Sequence, residues 1–146
     1  MNTDHNAFYL QVKKKMKKLV IFFSIIGLTP FYLDFFFSKT FLDNLNFEKI
    51  SIIYGLLIIS FLSGMQWQRW IEVKTSNFLY LSIPMLNFIF SFSSVFNFFL
   101  SPIIIVVIGL LVSLMIDVIF QKQFLSKWFV NLRVIVTFFA VISFFL

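Results

Sequence analysis

The chain has 146 residues, of which 60% are apolar and 21% aromatic, and only 12% carry a charge. A soluble domain covers itself with about a quarter charged residues. This chain has half that and a mean hydropathy of +0.97, which excludes a water-soluble fold and indicates one small membrane domain with no room for a separate soluble catalytic module.

The counts exclude further chemistry. With no cysteine there is no disulfide, thiolate metal site, iron–sulfur cluster or cysteine nucleophile. The single histidine, His5, rules out a bis-histidine haem within one chain, and the six acids are scattered singly, so no zinc site is expected. No cofactor is expected on these grounds. The net charge is +6, but five of the twelve basic residues form one run, Lys13, Lys14, Lys15, Lys17 and Lys18. In so apolar a chain such residues anchor and orient spans in a bilayer rather than bind nucleic acid.

In chain order, residues 1–18 read as a basic cytoplasmic tail and 19–146 as a transmembrane domain. The segment Ala7 to Lys18 carries Tyr9, Val12 and Met16 at helical spacing among lysines. It reads either as a surface amphipathic helix or as a disordered charged tail. Five apolar stretches follow, at about 19–37, 50–67, 78–98, 102–120 and 129–146. Each is close to the ~20 residues that cross ~30 Å of hydrocarbon as a helix. They are apolar on both parities, unlike barrel strands. The fold class expected is all-α, a polytopic bundle of five transmembrane helices. The first span lacks a small-x-small cleavage site and reads as an uncleaved signal anchor, bent at Gly27 and Pro30. Asp34 near its outer end either pairs with Lys39 or is solvated. Asn46 is a candidate cap for the second span, and Ser101-Pro102 an N-cap with proline at the first helical position of the fourth. With the N-terminus cytoplasmic, ten basic residues fall inside and two, Lys39 and Lys49, outside, and the C-terminus lies outside.

Several polar groups fall within these spans. Asp117 and Arg133 sit on the fourth and fifth, each ~5 Å inside the cytoplasmic boundary at 1.5 Å per residue. Three readings are open: a structural salt bridge between neighbouring helices, a proton- or ion-handling carboxylate tuned by a guanidinium, and snorkelling of Arg133 to headgroups. Asn87, Ser91 and Ser94 form a stripe on the third span with Pro84 on the same face. The stripe provides either interhelical hydrogen bonds or a small polar cavity. Ser60 with Gly64, and Gly109 with Ser113, are small-xxx-small pairs suited to close internal packing, with dimerisation as the other reading. Gln66-Trp67-Gln68-Arg69-Trp70 reads as an interfacial aromatic belt, or as a headgroup or partner site.

Tyr54-Gly55, followed by Ser60-Phe61-Leu62-Ser63-Gly64-Met65-Gln66-Trp67, resembles the second-helix signature of the family known as domain of unknown function 3429, which includes the animal transmembrane protein 69. Gly27-Leu28-Thr29-Pro30-Phe31 is similar to its first-helix Gly-Leu-Ile-Pro-Phe. Asp117, and Trp128, Leu132-Arg133 and Thr137, also fit. Gln66 stands where the family has histidine, and Gln68 where it has glycine. The resemblance implies a small multi-spanning protein of bacterial inner membranes or mitochondria with no established activity.

No nucleophile–base pair, metal cluster or phosphate loop stands out. The function expected is therefore that of a non-enzymatic accessory or assembly subunit of the bacterial inner membrane, its partners the lipid bilayer and other membrane proteins. The alternative is a small oligomeric transporter or channel using the Asn87 face.

Overall fold

The computed structural model describes residues 3–32, 47–73, 78–96, 100–121 and 123–145. Among the described residues there is helix and no strand. The helices are α1 (Thr3–Ile26), α2 (Phe47–Glu72), α3 (Phe78–Phe92), α4 (Pro102–Met115) and α5 (Lys127–Ser143). Tight 3-10 turns follow α1 at Thr29–Tyr32 and α3 at Ser93–Phe96, and α4 runs into a π turn at Ile116–Phe120. An apolar segment away from water must satisfy its own backbone groups, which the i to i−4 ladder does.

Among the described residues three helices are long and apolar enough to cross a membrane: Glu48–Glu72, Phe78–Phe96 and Pro102–Phe120. The fold is therefore all-helical and compatible with a membrane protein, while the expected first and fifth spans differ from the observed elements. Helix α1 begins at Thr3 and carries the lysine run within it, so most of the expected basic tail and the start of the expected first span form one helix. It also ends early. Gly27 and Leu28 turn the chain, Phe31 N–H bonds back to Leu28 O at 3.1 Å, and Pro30 has no N–H to continue an α ladder. The α1 ladder thus ends ahead of Gly27 and Pro30, and residues 33–46 beyond the 3-10 turn lie outside the described residues. Helix α5 has 17 residues, about 26 Å at 1.5 Å per residue. Asp34, Lys39 and Asn46 lie outside the described residues.

Helix α2 is the spine, packed along α3 and α4. Helix α3 lies on α4, α5 on α4, and the turn at Thr29–Tyr32 fits between α2 and α5, with α1 against α5. The apolar core is Phe31, Leu56, Ile59, Val106, Leu110 and Ala140. Two glycines set how closely the backbones approach. A Cβ on Gly55 would come 2.5 Å from Val106 Cγ1, and one on Gly109 would come 2.1 Å from Ser91 Oγ and 2.8 Å from Ile59 Cδ1. Helix α4 therefore meets α2 and α3 without side-chain thickness at those points. The expected Ser101 cap makes no side-chain bond, and only its carbonyl serves, accepting from Ile105 N–H at 3.2 Å.

The burial pattern is inverted relative to a soluble protein. Ten buried side chains among the described residues are polar or charged, against twelve apolar ones. Large apolar side chains such as Leu57, Phe61, Phe78, Leu86 and Ile89 are exposed. Polar atoms gathered inside and hydrocarbon outside is the arrangement a lipid solvent selects.

Candidate functional site

Asp117 is the centre of the site. It lies on the π turn that ends α4 and is 1% exposed. Its Oδ1 accepts from Arg69 Nη1 of α2 at 3.1 Å and from Gln66 Nε2 of α2 at 3.0 Å. Its Oδ2 accepts from Arg133 Nε of α5 at 2.8 Å. One carboxylate thus ties three helices, and two guanidinium groups against it leave one positive charge in excess. Both oxygens are taken by charge-assisted donors, the stronger class of hydrogen bond.

The cluster continues into a polar network. Gln121, fully buried just past the π turn, accepts from Arg69 Nη1 and donates to Gln66 O at 2.9 Å. The π turn closes with an i to i−5 bond from Gln121 N–H to Ile116 O at 3.1 Å. Gln66 Nε2 also donates to Ser113 O at 2.8 Å. Ser113 Oγ accepts from Asn87 Nδ2 at 2.9 Å, which is shared with Gly109 O at 3.1 Å, and Ser91 Oγ donates to Asn87 O at 2.8 Å. From Asp117 back to Gly109 the network covers about 12 Å of helix axis. Among the described residues the buried side-chain atoms without a partner are Ser63 Oγ, Gln66 Oε1, Asn87 Oδ1, Ser94 Oγ and Arg133 Nη2.

The expected Asp117–Arg133 pair is therefore formed, and Asn87, Ser91 and Ser94 all face inward, as does Pro84. The stripe and the charge pair, read separately in the sequence, join through Ser113. Arg69 and Gln121 were not anticipated as members. Arg69 reads as an interfacial cation, yet it stands one turn after Gln66 on the same face, and Gln121 stands four residues after Asp117. Those spacings were the available signal.

The aromatic belt needs correction at Trp70. Trp67 is 39% exposed, but Trp70 is buried, stacked on Tyr80 of α3 at 4.7 Å between ring centroids. The small-residue pairs divide. Gly109 and Ser113 pack inside, whereas Ser60 and Gly64 are exposed and Gly64 has nothing within 4 Å of a built Cβ. Internal packing thus holds for the second pair and not for the first.

The motif segments Gly27–Phe31 and Tyr54-Gly55 explain each other. Tyr54 OH donates to Gly27 O at 2.8 Å, and the Tyr54 and Phe31 rings meet edge to face at 5.0 Å. Phe31 Cε1 would lie in ordinary contact, 3.6 Å, from a Cβ at Gly55, so it is Val106 rather than Phe31 that requires glycine there. Tyr54 thus satisfies the carbonyl left open where α1 ends. Gln66 answers for the position where the resemblance expects histidine: its amide is a double donor at the foot of the carboxylate. No group of three or more His, Cys, Asp or Glu side chains is present among the described residues.

No curated protein and no solved structure matches the chain. A family model does, over residues 16–146, which include α2 to α5, both motif segments and the whole polar network. The chain belongs to the family described as protein of unknown function, DUF3429.

Proposed function

We propose that the chain is a non-enzymatic accessory or assembly subunit of the bacterial inner membrane, with five crossing helices, the N-terminus cytoplasmic and the C-terminus outside. The observation that carries this reading is the closure of the charge cluster: both Asp117 oxygens are occupied by donors from α2 and α5. A carboxylate held by three donors from two neighbouring helices and only 1% exposed ties the helices together and is shielded from a substrate. Meanwhile α3 keeps a broad apolar face outward, through Phe78, Met85, Leu86 and Ile89, a surface for lipid or for the helices of a partner. The orientation is supported by the common end of the bundle reached by Arg69, Arg133 and Lys17, the last lying 5.3 Å from the Trp128 ring centroid.

The test is purification from native membranes in mild detergent, with particle mass and every co-purifying protein identified. A stoichiometric membrane-protein partner is expected. A homogeneous particle of this chain alone overturns the subunit reading.

A second reading, a small oligomeric transporter or channel, is favoured by the unpartnered acceptors Gln66 Oε1 and Asn87 Oδ1 in the middle of the network. It requires solute flux in liposomes that Asn87→Leu abolishes while folding and abundance are kept. Flux unchanged in that variant removes the stripe from any pathway.

A further inference from the structure

We propose that the groove between α1, α2 and α5 is a binding site for one acyl chain of an anionic phospholipid, with the lipid phosphate at Arg133. The groove has a volume of about 510 Å³, within the ~300–1,000 Å³ of small-molecule sites. Its walls are apolar for most of their length, from Val20 and Phe129 near the charge cluster to Phe31 and Ala140 at the far end. Phe23 and Phe61 line it and are both exposed, so it opens toward the surrounding lipid.

The polar groups decide the occupant. Two of them are already engaged: Tyr54 OH donates to Gly27 O and Ser24 Oγ to Val20 O. Arg133 is different. It lines the groove, its Nε is held by Asp117, and its Nη2 is buried with no partner. A guanidinium N–H left without an acceptor in a low-dielectric site costs free energy that an anionic oxygen recovers once the Arg133 side chain, which lines the groove, turns to present it. The cluster behind it carries one positive charge in excess, so an anion is favoured over a zwitterion. Lys17 flanks the same end over Trp128, where a lipid headgroup would lie. An acyl chain along the groove and a phosphate at Arg133 satisfy both halves of the site at once. The second chain of the lipid stays in the bilayer beyond Phe23 and Phe61.

The experiment uses the full chain purified in a nonionic detergent and measures thermal stability on titration with phosphatidylglycerol, phosphatidylcholine or inorganic phosphate. Phosphatidylglycerol is expected to stabilise the protein at about tenfold lower concentration than phosphatidylcholine, the equivalent of one charge-assisted contact or about 1.4 kcal/mol. Inorganic phosphate is expected to do nothing at matched concentration. Arg133→Gln should abolish the preference. Because that variant also breaks the pair with Asp117, Met65→Trp supplies a second arm: it narrows the groove, leaves the charge cluster intact, and should weaken stabilisation by phosphatidylglycerol at least tenfold. Equal stabilisation of the unaltered chain by both lipids overturns the proposal. So does an undiminished response in Met65→Trp, or a response to inorganic phosphate alone, which would mark an anion site without the chain.

Discussion

Replacing Asp117 with asparagine keeps the side-chain shape and removes one charge. The asparagine has one acceptor oxygen where Asp117 uses two to receive Arg69, Gln66 and Arg133. Its amide nitrogen is a donor, so one guanidinium loses its acceptor and meets an N–H instead. Two part-buried cations, 17% and 12% exposed, then face each other without a counter-ion. Breaking a buried ion pair on one side costs about 3–5 kcal/mol, against about 0.6 kcal/mol for an ordinary interhelical hydrogen bond in a membrane protein. The retained oxygen places the expected loss for Asp117→Asn at the lower end, about 3 kcal/mol. The assay is reversible unfolding in mixed micelles with rising SDS, followed by helical circular dichroism. The double variant Asp117→Asn with Arg133→Gln should recover at least about 1 kcal/mol, because it removes the stranded cation. The exchange of Asp117→Arg with Arg133→Asp should not recover, because an arginine at 117 would face Arg69 and the Gln66 amide. Asp117→Asn within about 0.5 kcal/mol of the unaltered chain, or recovery in the exchange, would refute the reasoning.

The glycines make opposite predictions. Gly109→Ala should cost about 1–3 kcal/mol by overpacking against Ser91 and Ile59, and Ser91→Ala should relieve part of that in the same unfolding assay. Gly64→Ala should be neutral to within about 0.5 kcal/mol, because a Cβ there meets nothing. Tyr54→Phe removes the hydroxyl donor to Gly27 O and should lower stability by about 0.5–1.5 kcal/mol, with faster proteolysis near the end of α1 as a local readout. A reporter fused after Leu146 should read as external, and a cytoplasmic signal would mean an even number of crossings.

The sequence made the helices of the middle of the chain legible, because apolar runs bounded by polar breaks carry both length and position. The run at 50–67 grew into Phe47–Glu72 because a helical ladder continues into water beyond the last apolar residue. Within the run at 19–37 the end of α1 at Ile26 was not legible, because hydropathy does not register the backbone chemistry of Gly27 and Pro30, and residues 33–37 of that run lie outside the described residues. Within the site, Asp117 with Arg133 was legible since a charge set in an apolar run needs a counter-charge at equal depth. Arg69 was not, because a cation beside two tryptophans has an equally good interfacial role. Only the packing of α2 on α4 brings it onto Asp117. Ser113 was legible as a small residue but not as the junction between the stripe and the charges, since nothing local reveals which helix its hydroxyl meets.

The π turn at Ile116–Phe120 has a consequence for the winding of α4. Gly109, Ser113, Asp117 and Gln121 recur every four residues, and all four serve the same inner face. An α-helix turns about 100° per residue, so a strict period of four drifts about 40° at each step and about 120° from Gly109 to Gln121. Uniform α geometry would carry Gln121 away from Arg69 and Gln66. The wider π turn absorbs much of that drift and keeps the polar column in phase with α2. Shortening the chain by one residue between Ser113 and Gln121 would then shift the phase of everything beyond it. The damage would come from rotation of an intact helix rather than from loss of any contacting side chain.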